Sequence, residues 1–313
     1  MKKFMKTCAI CALIMLGAGI ALTLVAGGIW GTGTLPQLIH DTRNIWNISD
    51  IPDIPDIPDI PAGSAVDDIL SGLDRLDSGI RYDIEDAMEF DRHNPTISGD
   101  TEQTYSAALV QELELELGAC SLEFKTSEDS DFHVKVKNAG YYQGYVEGST
   151  LCIKGVRSTT GNLGEELKNC EIELYVPEGH SFRDVELLMG AGQVKANIAL
   201  DISDLDVGVG AGAAEFSSLT VNELNVEVGA GSFEMTGSVL REAEIDCAMG
   251  SATLTLSGAQ TDFNYELEAA AGSVDIAGQV YNSLVTERKI RNNAAKEISV
   301  DCSMGSVVIN FAD

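Results

Sequence analysis

Four acidic residues, Glu227, Asp246, Glu268 and Asp301, have the types and the spacing to bind a ligand together. Each stands four positions before the glycine of a short repeated motif. If the repeats stack in chain order, neighbouring carboxylates lie about 5 Å apart, and like charges at that distance destabilise adjacent strands. Carboxylate oxygens are ligands that calcium prefers. The four residues predict a solvated stripe whose side chains splay apart or, as the alternative, a stripe that binds calcium or a cationic peptide.

A second and weaker acidic stripe follows the same glycines. Glu215, Glu234 and Asp275 each lie three positions after one of them. The GGxGxD repeat of calcium-binding β-helices does not occur. The histidines are scattered, and no cysteine pair has zinc-ligand spacing with a histidine nearby. Apart from the Glu227, Asp246, Glu268 and Asp301 stripe, the sequence therefore predicts no metal site.

No catalytic and no cofactor-binding residue is predicted. The glycine-rich run at Gly208–Ala213 has the wrong glycine spacing for a dinucleotide loop, and no helical pattern follows it. Neither GxSxG nor HExxH occurs, and no Cys/His nucleophile pattern is present. The net charge of −29 argues against a nucleic-acid partner, because phosphate binding needs a basic surface.

An internal repeat explains the glycines. Seven segments share one frame when they are aligned on Cys120, Gly192, Gly212, Gly231, Gly250, Gly272 and Gly305, here called the anchors. The middle anchors are 19 to 22 positions apart, and longer insertions separate the first and the last anchor from the others. Periods of this size indicate a solenoid, in which stacked units share one core.

In each repeat, apolar residues occupy every second position on both sides of the anchor. Around Gly231 the apolar residues are Val226, Val228 and Ala230 before the anchor and Phe233 and Met235 after it. Alternation marks a β-strand, and the change of parity indicates a corner between two strands. The sequence therefore predicts an all-β fold, a parallel β-helix or β-solenoid of about seven coils.

The inward positions predict the core. Six residues are expected to be buried: Val228, Phe233, Met249, Leu254, Val274 and Ile309. Stacking in chain order places Ala269 between Cys247 and Cys302, so that the two cysteines lie about 9–10 Å apart, beyond the limit of roughly 7 Å for a disulfide. They are expected to be buried free thiols. A disulfide between Cys152 and Cys170 is left open.

The N-terminus predicts a membrane anchor. Lys2, Lys3 and Lys6 precede an uncharged run at residues 8–29, which is long enough to cross a hydrocarbon core of about 30 Å. The lysines favour a single-pass segment, residues 1–30, with a cytoplasmic N-terminus and an extracytoplasmic C-terminal domain. A signal peptide cleaved near Ala26 is the alternative, although its apolar run would exceed the usual 7–15 residues.

An acidic linker, residues 31–111, is expected to join the anchor to a solenoid at residues 112–313. Ile51–Pro61 repeats Ile-Pro-Asp, which is typical of a polyproline II stalk, and Val66–Leu76 has the spacing of a short amphipathic helix. An antiparallel excursion is predicted at about Phe132–Lys168. A second one, at Tyr281–Ala295, carries the basic cluster Arg288, Lys289, Arg291 and Lys296.

The repeats resemble a known family. The GAGS and MGS corners, IELYVPEG at Ile172–Gly179 and the closing SVDCSMGSVVINF are similar to the bacterial β-strand-repeat "putative adhesin" domains of unknown function, found in Gram-positive envelope proteins. The resemblance covers about Glu112–Asp313, and Cys120 departs from the usual glycine. It implies a right-handed parallel β-helix, an envelope location and, in some relatives, a link to envelope-stress signalling. No catalytic residue is assigned in that family.

These observations favour a non-enzymatic, membrane-anchored cell-envelope protein whose extracytoplasmic solenoid serves binding or adhesion. The expected partners are the membrane, through residues 8–29, and an envelope protein or cell-wall ligand. A component of envelope-stress sensing that acts through a membrane partner is the alternative. A carbohydrate-active enzyme is the remote alternative.

Overall fold

The structure, a computed structural model, describes residues 90–91, 93–157, 169–281 and 286–312. The described part is all-β, with short 3-10 turns at Ala107–Leu109 and Gln260–Asp262. The strands are β1 (Ile97–Ser106), β2 (Glu112–Thr126), β3 (Asp131–Glu147), β4 (Thr150–Arg157), β5 (Cys170–Val176), β6 (Ser181–Val209), β7 (Ala213–Val228), β8 (Ser232–Cys247), β9 (Ser251–Ser257), β10 (Phe263–Ala269), β11 (Ser273–Ile276), β12 (Gln279–Tyr281), β13 (Thr286–Ile290), β14 (Lys296–Cys302) and β15 (Ser306–Ala312).

Parallel strands stack as coils on both sides of the corner. We call the segments before the anchors the leading sheet and those after them the trailing sheet. The leading sheet runs in the order β4, β2, β6, β7, β8, β14 and β10. The trailing sheet runs in the order β5, β2, β6, β7, β8, β9, β15 and β11. The expected solenoid-like parallel stacking is present.

The stack does not follow chain order at its C-terminal end. The last coil, β14 with β15, lies between the coil of β8 and β9 and the coil of β10 and β11. Asp301 therefore neighbours both Asp246 and Glu268. The sequence-based order, in which Glu268 follows Asp246, is wrong, because equal periods show which positions are equivalent but not which coils touch.

The period-two alternation correctly predicts most of the core. Val228, Phe233, Leu254, Val274 and Ile309 are all buried. Met249 is the exception, since 48% of its surface is exposed. Strand β8 ends at Cys247, and the three residues that follow form the corner, so the alternation stops before it reaches Met249.

The small residues at the corner are required where coils approach each other most closely. A Cβ on Gly212 would stand 2.7 Å from the carbonyl oxygen of Gly192. A Cβ on Gly210 would stand 2.6 Å from the carbonyl oxygen of Gly190. Real side chains do not approach a backbone oxygen so closely, so a larger residue at these sites would push two coils apart.

Antiparallel strands cover both ends of the stack. Strand β3 pairs with β4 and β5 at one end, and β1 pairs with β3. At the other end, β13 pairs with β10 and β12 pairs with β11. Covering strands of this kind protect the parallel edges from pairing with other chains.

The domain boundaries differ from the expected ones in two places. Strand β1 begins at Ile97, so β structure extends into the segment predicted as linker. In the excursion predicted at Phe132–Lys168, β3 is antiparallel, but β4 rejoins the stack parallel to β2. The predicted membrane segment, the proline-rich stalk and the amphipathic helix lie outside the described residues. Within the part that is described, no helix combines the length and apolarity needed to span a membrane.

The predicted separation of Cys247 from Cys302 is wrong, although both are buried free thiols as expected. Cys302 is the in-register partner of Cys247, without an intervening coil. Cys170 is the in-register partner of Cys120 rather than of Cys152. Cys152 instead lies opposite Glu114 on β2 and Tyr145 on β3. All of these cysteines are buried free thiols in the structure.

Candidate functional site

The predicted acidic stripe lies on the outward side of the leading sheet. The in-register order along the stack is Glu227, Asp246, Asp301, Glu268 and Glu287. The structure brings the four predicted residues together in one column, with Asp301 and Glu268 exchanged in order. Glu287 was missed because it stands on the covering strand β13, outside the repeats.

Two further acidic columns flank this one on the same sheet. The first contains Asp206, Glu244 and Glu266, and the second contains Asp204, Glu223, Glu242 and Glu297. They come two and four positions earlier on each strand, so they project on the same side. We call the three columns together the acidic face.

Cations neutralise only the flanking columns. Arg241 pairs with Glu223. Lys289 lies 3.0 Å from Glu266, and Arg291 lies 2.6 Å from Glu266 and 3.0 Å from Glu297. The ion pairs of the described residues include none with Glu227, Asp246, Asp301 or Glu268. The central column therefore keeps its negative charge uncompensated.

Crowding changes the ionisation of this column. Burial, followed by the charges of Glu244 and Asp301, raises the pKa of Asp246 to about 6. Burial, followed by the charge of Asp246 and of two further carboxylates, raises the pKa of Glu227. A cation that approached this part of the face would favour the ionised carboxylates and lower both pKa values.

The second predicted stripe is interrupted. Glu215 and Glu234 are in-register neighbours on the trailing sheet. Thr253 and Val308 separate them from Asp275. The two glutamates border a surface depression together with residues of three neighbouring coils, among them Ser217, Thr236 and Thr253.

The basic cluster predicted at Arg288–Lys296 serves the covering strand. Lys289 and Arg291 pair with carboxylates of the acidic face, as described above. Arg288 lies over the Tyr281 ring at 5.2 Å, and Lys296 lies over the Phe263 ring at 5.0 Å. The four basic side chains therefore contact carboxylates and aromatic rings of the same domain and do not form a free basic patch.

One cation lies buried at the opposite end of the leading sheet. Lys154 Nζ lies 3.1 Å from Glu116 and 3.4 Å from Glu114, and only 6% of its side chain is exposed. Burial raises the pKa of Glu116 to about 7 despite the neighbouring ammonium. Lys154 stands in register with Glu116, so it occupies the same column as the central acidic residues. The repeat pattern did not reveal Lys154, because its coil lies inside the insertion that follows the first anchor.

No group of three or more His, Cys, Asp or Glu side chains in the described ranges is placed to hold a metal ion. The carboxylates of the central column are arranged in a row rather than around a point. Calcium binding by Glu227, Asp246, Glu268 and Asp301 stays a prediction.

Comparison with known proteins gives one family match. Residues 110–255 match the family model described as Toastrack DUF4097. No curated protein matches the chain.

Several solved structures are similar to the chain. A "putative cell adhesion protein" from Clostridium sporogenes is 15% identical, with a TM-score of 0.41, over 68% of this chain and 100% of that one. A "putative adhesin" from Bacteroides fragilis is 12% identical, with a TM-score of 0.31, over 69% of this chain and 97% of that one. A "putative lipid binding protein" from Parabacteroides distasonis is 14% identical, with a TM-score of 0.31, over 68% of this chain and 98% of that one.

The family match covers the coils from β2 to β9, which contain five of the repeats seen in the sequence and the first part of the acidic face. The family resemblance noted from the GAGS and MGS corners is thereby confirmed over residues 110–255, which are similar to the Toastrack DUF4097 family.

Proposed function

We propose that the chain is a non-enzymatic cell-envelope protein that presents its β domain outside the cytoplasm for binding. Residues 8–29 anchor it to the membrane as a single-pass segment, and the N-terminus is cytoplasmic. The partner is an envelope protein, and the acidic face binds a cationic segment of that protein. Binding, rather than catalysis, is the activity of the domain.

The observation that carries this proposal is the uncompensated charge of the central column. Glu227, Asp246, Asp301 and Glu268 are in-register neighbours, and none of them takes part in the ion pairs of the described residues. A row of like charges costs stability in the free protein. A partner that brings positive charge removes this repulsion, so binding is favoured by electrostatics and accelerated by steering.

The shape of the acidic face favours a polypeptide over a single ion. Calcium takes six to eight oxygens that surround it. The columns instead offer oxygens from one side, over several coils, and the flanking carboxylates already hold Arg241, Lys289 and Arg291. A segment with several lysines or arginines can contact many of the remaining carboxylates at once.

Two charge-neutralised variants test the proposal. The first carries Glu227→Gln, Asp246→Asn and Asp301→Asn on the acidic face. The control carries Glu215→Gln, Glu234→Gln and Asp275→Asn on the trailing sheet, with the same change in net charge. The probe is an oligolysine peptide, and affinity is measured by calorimetry at low and at physiological salt.

We expect the acidic-face variant to lose about tenfold in affinity or more, which corresponds to about 1.4 kcal/mol. The control variant should stay within about twofold of the unmodified chain. Equal losses in both variants would mean that the peptide responds to net charge alone, and the proposed face would then be wrong. Calcium titrated in place of the peptide tests the alternative ligand, and its tight binding with weak peptide binding would also contradict the proposal.

The location is tested separately. Intact cells that carry the chain are treated with a protease that does not enter them. We expect the β domain to be released, whereas a cytoplasmic domain would be protected until the cells are lysed. Crosslinking on the same cells, followed by mass spectrometry, then identifies the partner.

A further inference from the structure

Two buried thiols meet where the last coil enters the stack. Cys247 ends strand β8 and Cys302 ends strand β14, and the two residues are in-register partners in parallel strands. Both side chains point into the core, with exposed fractions of 2% and 0%. The two thiols influence each other's pKa, and Cys302 Sγ donates a hydrogen bond to the backbone carbonyl of Ser273 at 3.7 Å.

The backbone geometry suits a covalent bond. In-register neighbours of adjacent strands lie about 4.7–4.9 Å apart at Cα, inside the range of 4.4–6.8 Å that disulfides require. Both cysteines are the last residues of their strands, so the corner that follows each can adjust. A Cβ on Gly305 would stand 2.5 Å from Cys247 Sγ, and one on Gly272 would stand 2.5 Å from Cys302 Sγ. The corner glycines thus leave room for both sulfur atoms, and rotation about χ1 of Cys302 turns its sulfur toward Cys247.

We propose that Cys247 and Cys302 form a disulfide that fastens the inserted coil β14–β15 to the coil of β8 and β9. The two cysteines belong to coils that are adjacent in the stack but separated in the chain by β9 to β13. A bond between them therefore closes a long loop, the arrangement in which a cross-link restricts the unfolded chain most.

The oxidant is a disulfide, either of low molecular weight or in a thiol–disulfide oxidoreductase. One cysteine thiolate attacks the oxidant's S–S bond and forms a mixed disulfide, releasing one thiolate of the oxidant. The second cysteine attacks the protein sulfur of the mixed disulfide and releases the other. Two protein thiols lose two protons and two electrons, and the oxidant's disulfide becomes two thiols.

The bond must form while the coil is docking. Burial raises the pKa of Cys247 to about 11, so the thiolate is scarce once the stack is closed. Before β14 inserts, the inward edge of β8 is uncovered and Cys247 is accessible. In the cell, the bond would form only in an oxidising compartment, and that location rests on the proposed function. In the purified protein, formation of the bond depends only on the fold.

The other cysteines provide controls. Cys120 and Cys170 are also in register, whereas Cys152 faces Glu114 and has no cysteine partner in the described ranges. Each of the five described cysteines lies in a tryptic peptide of its own, since a lysine or arginine separates every neighbouring pair of them, and Cys8 and Cys11 lie together in another peptide. A linked pair of peptides therefore identifies one disulfide without ambiguity.

The experiment uses the full chain, unfolded with reductant and refolded in detergent with a mixture of reduced and oxidised glutathione. We expect peptides 242–288 and 297–313 to be recovered linked, and to separate on reduction. The oxidised protein should melt about 10 °C higher than the reduced one. Glutathione disulfide added after folding under reducing conditions should form the bond at least about tenfold more slowly, because the thiols are then buried.

The variant Cys302→Ser should lose both the linked peptides and the rise in melting temperature, whereas Cys152→Ser should keep both. Wild-type chain that refolds in the glutathione mixture with Cys247 and Cys302 still alkylatable after unfolding would overturn the proposal. A linkage of either cysteine to Cys152 would also overturn it. Neither readout uses a cationic ligand or the cellular location, so this test can fail independently of the proposed function.

Discussion

Asp301 lies beside Asp246 on the outward side of the leading sheet, although the coil that carries β10 and β11 comes between them in the chain. Two carboxylates in adjacent, parallel positions cannot both ionise without cost. Burial and the charges of Glu244 and Asp301 accordingly raise the pKa of Asp246. The fold thus tolerates repulsion between the carboxylates of the central column. Neutralising one of these carboxylates should produce a measurable gain in stability.

Asp246→Asn is expected to stabilise the domain near neutral pH. The pKa of Asp246 is raised from 3.8 to about 6 in the folded domain, so folding favours the protonated carboxyl. The stability that this carboxyl contributes is fully present below about pH 4 and is lost as pH rises through about 6. Asparagine does not ionise, and the gain at pH 7 should be about 1 kcal/mol once solvent screening is included. Denaturant unfolding at pH 4 and pH 7 measures it. The surface variant Glu178→Gln is the control, and an equal gain at both pH values would contradict the mechanism.

Phe233→Ala should lower the free energy of unfolding by about 3–5 kcal/mol, because it leaves a cavity. The Phe233 side chain is completely buried, and its ring centroid lies 6.0 Å from that of Phe216 on the neighbouring coil. Phe233→Leu fills part of the space and should cost less. A loss below about 1 kcal/mol for the alanine variant would show that this position is not in the core.

Lys154→Met should destabilise the N-terminal end of the stack by about 3 kcal/mol, because it leaves the mostly buried Glu116 and the partly exposed Glu114 without their cation. Adding Glu116→Gln should restore part of the loss, since one of the two charges is then removed. The exposed Lys137→Met is the control and should change stability little. Denaturant unfolding of the unmodified chain, the single variants Lys154→Met and Glu116→Gln and the double variant measures the coupling, and additive losses would contradict the proposed network.

Gly212→Ala should destabilise the domain by about 2 kcal/mol or more, because the new methyl group would press on the backbone of Gly192. Gly118→Ala is the matched control on another coil, two positions before the anchor Cys120. Its Cβ would meet only Val156 and Gly155, at 3.5 Å or more, so the substitution should be tolerated. Thermal unfolding distinguishes the two, and equal effects would mean that close coil packing is not the cause.

The period of the sequence predicted the strands, the inward residues and the column that holds the acidic side chains. These features depend on local alternation, which each coil carries in its own residues. Met249 was assigned to the core because the alternation was extended through the corner, where the backbone no longer has the geometry of a strand.

The spatial order of the coils could not be obtained in the same way. Strands β8, β10 and β14 present similar inward residues, so each could pair with either of the others without changing its own pattern. The choice depends on the covering strands: β13 pairs with β10, which makes that coil the end of the stack. The exchange of Asp301 with Glu268, and the contact between Cys247 and Cys302, both follow from this one choice.

The position of the β14–β15 coil also has a consequence for folding during synthesis. A solenoid stacked in chain order can grow coil by coil as the chain leaves the ribosome. Here the coil of β10 and β11 cannot dock in its native position until β14 and β15 exist, and those strands end at Ala312. The coil of β10 and β11 therefore reaches its native position only after Ala312 has been synthesised, and a chain that lacked β14 and β15 would leave two unfinished edges rather than one.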